Sequence, residues 1–385
     1  MQRHDDEPAS VAADLQTRLL ARLREAARAQ DGWLPFDRYM ATVLYEPGLG
    51  YYANQSRKFG ALPSSGSDFV TAPELTPLFA RALSRQLRQA LVLSATTEVW
   101  EFGAGSGALA AELLLSLGSA CSAYHIVELS AVLRERQRRQ IEAVAGGAVA
   151  RVQWHDTLPG DIRGVVVGNE VLDAMPVQLL HFDGSRWWER GVAVGDAGLA
   201  WADRPTALRP PVEAEFVPGT VTEVHLQAEA FIRTLAATLT RGAAFFLDYG
   251  FPEGEYYHPQ RVGGTLMCHR GHQADTDPLS GLGQKDITAH VNFTGIALAG
   301  QDSGLDVVGY TTQGRFLMNC GLLDLLPPAQ AGGPAETERL RSVSAVQKLV
   351  NEHEMGELFK VVGFARGADL SDALGFAVGD RSHTL

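Results

Sequence analysis

Cysteine is scarce in this chain: three in 385 residues, at 121, 268 and 320, odd in number and without CxxC spacing. That usage argues against a disulfide framework and against a cysteine-built zinc site, and points to a reducing cytoplasm. Positive charge is also short, with 33 Lys and Arg against 45 Asp and Glu and a formal net charge of -12. A phosphate backbone meets no general attraction on such a surface, and no local basic patch stands out, so no nucleic-acid partner is expected. Long apolar runs are missing too. The most apolar stretch, 108–117, is interrupted by Glu112 and falls short of the ~20 residues that cross a bilayer, so no membrane insertion is expected. The opening MQRHDDEPAS is acidic and lacks an apolar run behind a basic start, unlike a secretory signal.

What the chain does contain is enough apolar sequence, 45% of residues, to bury a full core. Leucines at 15, 19, 20 and 23 recur at helical spacing within 14–28, with arginines on the other face, so an amphipathic helix opens the fold. A Gly-, Ser-, Pro- and Tyr-rich loop follows over 45–67, and Thr71-Ala-Pro-Glu74 reads as a capping box that starts a helix running to about Leu93. Short β-rich runs then alternate with helical ones at 98–102, 124–127, 152–154, 165–168 and 243–247, the pattern of a mostly parallel, doubly wound α/β sheet. Alternation with turn signals over 177–202 marks an antiparallel β insertion, and 221–241 returns to helical periodicity. The last two strands are expected at 306–311 and 359–364, separated by a Pro/Gly-rich linker and a helix. The expected division is 1–95 for N-terminal helices and a site-covering loop, and 96–250 for the Rossmann-like core with an insertion at about 176–215. An accessory, substrate-facing lobe takes 251–304, and the C-terminal strands and helix take 305–385.

The segment Val99-Trp-Glu101-Phe-Gly103-Ala-Gly105-Ser-Gly107 orders a strand, an acid, a glycine turn and an Ala/Leu-rich helix. Glycines serve where backbone takes positive φ or a ligand approaches closely, and the helix start offers free N–H groups. The same letters, ending at Ala108, also satisfy a dinucleotide fingerprint, so the turn alone leaves an NAD-linked oxidoreductase open. Glu101 shifts the balance, because a strand-end carboxylate suits a cationic sulfonium ligand and repels a pyrophosphate. Glu128 ends the second strand, where a carboxylate accepts both hydroxyls of a ribose, and Asp156 after the third strand is placed for an adenine amino group.

Past the fourth strand, Gly168-Asn169-Glu170-Val-Leu-Asp173-Ala-Met-Pro176 sets an amide and two carboxylates on the rim where open parallel sheets bind ligands. Methyl transfer needs alignment of acceptor and donor and a home for the acceptor's proton, which Glu170 and Asp173 could supply. Asn169 and Asp173 are also good helix caps. A guanidinium acceptor would be held bidentately by such carboxylates. Asp248-Tyr249-Gly250 ends the fifth strand on the same rim, facing the acceptor. His290, within Asp286-Ile-Thr-Ala-His290-Val-Asn292-Phe, is a candidate catalytic base. No metal ligand set is read.

These residues together resemble the MidA-like family of class I S-adenosylmethionine-dependent methyltransferases, which includes the mitochondrial complex I assembly factor that methylates a protein arginine. The resemblance runs from about Phe36 to Gly367 through FDRYMATVLYEPGLGYY, SDFVTAPE, WEFGAGSGALA, NEVLDAMPV, FFLDYG, GTLMCHRGH, KDITAHVNF and EMGELFKVV. It implies a class I fold, S-adenosylmethionine as cofactor and an arginine-bearing protein as partner, a respiratory-complex subunit among the candidates. It maps the cofactor turn to Gly103, Gly105 and Gly107, and the acidic rim to Asn169, Glu170 and Asp173. Asp68 is expected to face the substrate. Asn292 stands where the family commonly has aspartate. A noncatalytic cofactor-binding assembly factor and a small-molecule methyltransferase remain alternatives, and the oligomeric state is open.

Overall fold

The computed structural model describes residues 9–54, 71–271, 273–328 and 333–385. Asp68, His272 and most of the 45–67 loop lie outside the described residues. The chain groups into two compact units, one of Val70–Val171, Glu229–Gly250 and Phe293–Leu385, the other of Met1–Phe69, Leu172–Ala228 and Phe251–Asn292.

The first unit holds a seven-strand run of β1 (Glu98–Phe102), β2 (Ala123–Val127), β3 (Val152–His155), β4 (Ile162–Asn169), β5 (Leu239–Phe251), β6 (Asp306–Thr312) and β7 (Phe359–Arg366). Their spatial order is β6-β7-β5-β4-β1-β2-β3. Strands β3, β2, β1, β4 and β5 run parallel, and β7 is antiparallel to both β5 and β6. Order reverses between β1 and β4, which opens a crevice at the carboxyl ends of the strands, where this class of sheet binds ligands. The apolar runs read in the sequence form these strands because both faces are covered, so β4 and β5 are almost continuously buried. Helices Pro77–Ser94 and Ala108–Leu117 pack their leucines and alanines onto one face with Val99, Val165, Val167 and Phe245. On the other face Phe231 meets Phe102 and Phe246 edge-on at 5.2 and 5.9 Å.

The second unit carries an antiparallel sheet in the order Trp33–Pro35, Trp187–Gly195, Gln178–Phe182, Val221–Val224, with Gly198–Pro205 also paired to Trp187–Gly195. The β insertion is the hairpin at its centre. A smaller sheet joins Gln273–Asp275, Met267–Arg270 and Asp286–Thr288. The opening helix, Ala9–Ala27, buries Leu19 and Leu23 among Phe36, Tyr39, Met40 and Val192.

Two expectations are corrected. The stretch 221–241 is not one helix: Val221–Val224 is a strand paired with Gln178–His181, and the helix spans Leu226–Thr238. The run Val-Thr-Glu-Val has three β-branched residues but is only four residues long, so it merges with the helical pattern behind it. Thr71 does not cap the helix that reaches Ser94. It precedes a single turn, Ala72–Leu75, without a side-chain cap bond, and Thr76 caps Pro77–Ser94 by accepting Leu78 N–H at 3.3 Å. Residues 251–292 fall in the second unit, whereas the helix Phe293–Asp302 falls in the first.

Candidate active site

The glycine turn leaves β1 with Gly103, Gly105 and Gly107 all at positive φ, 67°, 51° and 86°. A Cβ on Gly103 would sit 2.7 Å from Val171 Cγ2, so backbone conformation and close approach both demand glycine there. Gly107 precedes the helix Ala108–Leu117, the Ser106 hydroxyl donates to Glu74, and Ser106 Oγ accepts Ala108 N–H at 3.3 Å. Glu74 therefore braces the turn instead of closing a capping box.

Glu101 lies inside the sheet, 1% exposed, and its Oε2 accepts the Tyr124 hydroxyl at 2.7 Å. Burial pushes the carboxyl up to about 7, with the Tyr124 bond pulling the other way. Burial thus disfavours the full negative charge expected at this strand end. A positive ligand group would favour the ionised form.

Glu128 follows β2, and its own N–H donates to His155 O at 2.9 Å. Its Oε1 accepts Ser130 N–H at 2.8 Å and its Oε2 accepts Gln137 Nε2 at 3.2 Å. Burial raises its pKa and these bonds oppose the rise. Each carboxylate oxygen has two lone pairs, so acceptor capacity remains for two hydroxyls. Asp156 follows β3 and is exposed.

Gln137 escaped the sequence reading. It is fully buried and donates to Gly105 O and Glu128 Oε2, both at 3.2 Å, while its Oε1 accepts Trp154 Nε1 at 3.0 Å. One amide thereby locks the glycine turn, the acid and β3 together. Its signal was faint: an uncharged polar residue four positions before Ile141 on the buried stripe of an arginine-rich helix.

On the rim, Asn169 ends β4 and donates from Nδ2 to Glu170 Oε1 at 2.9 Å, while its Oδ1 is buried with no hydrogen-bond partner among the described residues. Glu170 adopts φ 54°, the left-handed region, and its N–H donates to Leu247 O at 2.9 Å. Asp248 accepts Val171 N–H on Oδ2 at 3.1 Å and Tyr249 N–H on Oδ1 at 3.0 Å. It is buried and braces the residues after Glu170. Tyr249 packs edge-on against Phe359 at 5.3 Å.

Asp173 and His290 belong to the second unit, where Ala289 N–H donates to Asp173 O at 3.0 Å and brings the two segments together. The His290 N–H donates to Thr265 Oγ1 at 3.0 Å, and its ring lies parallel to Phe251, 6° apart at 5.2 Å. Asn292 is buried. All three cysteines are buried, and burial pushes their thiols up to about 11 at Cys121 and about 12 at Cys268 and Cys320. No helix among the described residues is long and apolar enough to cross a membrane.

The turn, Glu128 and the unpartnered Asn169 Oδ1 fit a ligand with an adenosine ribose and an ammonium group. Fold and site define a class I S-adenosylmethionine-dependent methyltransferase. A family model described as "Putative S-adenosyl-L-methionine-dependent methyltransferase" matches residues 78–311. A superfamily member from Burkholderia thailandensis, crystallised with S-adenosyl-homocysteine, is 51% identical, covers 99% of each chain and superposes with a TM-score of 0.93. A second, native structure from the same organism is 50% identical with a TM-score of 0.89, again over 99% of each chain. The protein arginine methyltransferase NDUFAF7 homolog, mitochondrial, of Drosophila melanogaster is 27% identical over 90% of this chain and 85% of its own. Its Caenorhabditis elegans counterpart is 24% identical over 74% and 72%. The chain belongs to this MidA-like family of S-adenosylmethionine-dependent methyltransferases. Family membership, not the glycine turn alone, decides against the dinucleotide reading.

Proposed function

We propose that this methyltransferase modifies an arginine side chain of a protein. The observation that carries the reading is Glu170: a non-glycine residue at φ 54°, main chain bonded to Leu247 and carboxylate held by the Asn169 amide. Left-handed backbone costs roughly 1–2 kcal/mol at such a residue and is kept where it sets a functional side chain. Relatives named as protein arginine methyltransferases in fly and worm support arginine as the acceptor.

When bound, S-adenosylmethionine supplies an electrophilic methyl carbon on a sulfonium. The chain's part is to orient the acceptor and take its proton. Glu128 would accept from the cofactor's ribose hydroxyls, the glycine turn would let backbone approach the cofactor closely, and Asn169 Oδ1 would accept from its ammonium. Glu170 pairs with the guanidinium, which is always charged in water, and draws its positive charge away from the attacking nitrogen. Asp173 and His290 are the further candidates, the one for a cationic acceptor group and the other for the proton released as nitrogen gains the methyl group. A respiratory-complex subunit is the proposed partner class, and a reducing compartment the proposed setting; the fly and worm relatives are named mitochondrial.

The test is incubation of the purified protein with labelled S-adenosylmethionine and a methylation-deficient lysate of its own organism, followed by mass spectrometry. Label on a protein arginine is expected, with Glu170→Gln slower by on the order of 100-fold at unchanged cofactor affinity. Label on lysine, RNA or a small molecule contradicts the arginine reading.

A further inference from the structure

A buried polar network in the second unit has no role in the chemistry above, yet it ends on His290. Glu223, on the strand Val221–Val224, is completely buried. Its carboxylate accepts Thr265 N–H at 2.8 Å, Leu266 N–H at 2.9 Å and the Tyr256 hydroxyl at 2.8 Å. A Cβ on Gly264, at φ +69°, would lie 2.5 Å from Glu223 Oε1, so the chain is shaped to admit this carboxylate. Three donors converge on the carboxylate, which in its ionised form only accepts and so sets the direction of the bonds beyond it. The Tyr256 proton goes to Glu223, so the Tyr256 oxygen receives Thr265 Oγ1–H at 2.9 Å and His225 Nε2–H at 2.9 Å. Thr265 Oγ1, having donated, receives the His290 N–H at 3.0 Å.

We propose that Glu223, Tyr256 and Thr265 are positioning residues that hold His290 in the orientation its reaction requires. The network fixes its backbone from one side. Phe251 fixes the ring, lying parallel to it, with the Arg261 guanidinium 4.4 Å from the Phe251 centroid. Burying a carboxylate, a phenol and an imidazole costs desolvation that apolar residues of like size would avoid, so the arrangement is accounted for by orientation and not by stability. His225 is neutral in it: burial drives its pKa down to about 3. The inference rests on the reading of His290 as proton acceptor.

Thr265→Val keeps the shape and removes the hydroxyl, and Thr265→Ser restores the hydroxyl. The full-length protein is assayed by label transfer from S-adenosylmethionine to lysate protein, and its histidine ring signals are followed by selective ¹⁵N labelling. Thr265→Val is expected to lower the transfer rate at least tenfold with the cofactor KM within twofold, and to move the His290 imidazole signals; Thr265→Ser is expected to return both. Tyr256→Phe should act as Thr265→Val does. Unmoved His290 signals and full rate in folded Thr265→Val, or Ser failing to rescue, overturn the proposal. His290→Gln separates the two ideas: full rate there, with Thr265→Val still shifting the imidazole, removes the base role and keeps the positioning network.

Discussion

Tyr124 donates its hydroxyl to Glu101 inside the sheet at 2.7 Å, between neighbouring strands that both feed the cofactor crevice. The tyrosine compensates a carboxyl whose pKa burial has pushed from 4.5 up to about 7. Below the unfolded value both states are protonated and nothing is lost. As pH rises from about 4.5 to 7 the folded state holds more protons than the unfolded one, so Glu101 lowers stability across that window, fully so above it. A shift of this size corresponds to on the order of 3 kcal/mol. Glu101→Gln, which still accepts the Tyr124 bond, should raise the melting temperature of the ligand-free protein at pH 8 but not at pH 4. The same change should weaken S-adenosylmethionine binding in calorimetry more than S-adenosyl-homocysteine binding, because only the former carries the sulfonium cation. No stabilisation at pH 8 contradicts the buried-acid account.

Gly103→Ala meets two costs, left-handed backbone and the Val171 methyl 2.7 Å from its new Cβ. The variant should lose about 2–3 kcal/mol in denaturant unfolding, and Gly103→Ala with Val171→Ala should recover only the steric part, leaving about 1 kcal/mol of backbone strain beyond the Val171 truncation alone. Full additivity of the two single changes is the contrary result.

Glu170→Gly removes the strain at φ 54° together with the carboxylate. Unfolding free energy should stay within about 1 kcal/mol of the parent or exceed it, while methyl transfer falls by on the order of 100-fold. A variant both destabilised and active would mean that Glu170 serves the fold.

Asp248→Asn replaces one of two oxygens that accept Val171 and Tyr249 N–H by a donor. A cost of about 1–3 kcal/mol is expected, with cofactor affinity kept and transfer reduced because the residues after Glu170 lose their brace. Loss of S-adenosyl-homocysteine binding in a folded variant contradicts that division of labour.

The parts of the site legible in the sequence are those carried by contiguous letters. The glycine turn, Glu128 and the Asn169–Glu170 rim sit at strand ends, and a buried parallel strand announces itself by its apolar run. The partners that tune them did not show. Gln137 reaches Gly105 across 32 positions, Ser106 reaches Glu74 across 32, and Glu223 reaches Thr265 across 42. Each looks like an ordinary polar residue until the fold closes. The burial of Glu101 did not show for the same reason, since one sequence does not tell how deep in the sheet a strand-end acid lies. Val221–Val224 was hidden because a four-residue strand is too short to outweigh the helix that follows it.

Calorimetry with S-adenosyl-homocysteine on the parent protein and on Glu128→Ala tests the cofactor pocket most directly. One molecule bound per chain is predicted, weakened by about 10–100-fold in the folded variant, the loss expected for charge-assisted hydrogen bonds to a ribose. A parent that binds none, or a Glu128→Ala that binds equally well, would contradict it.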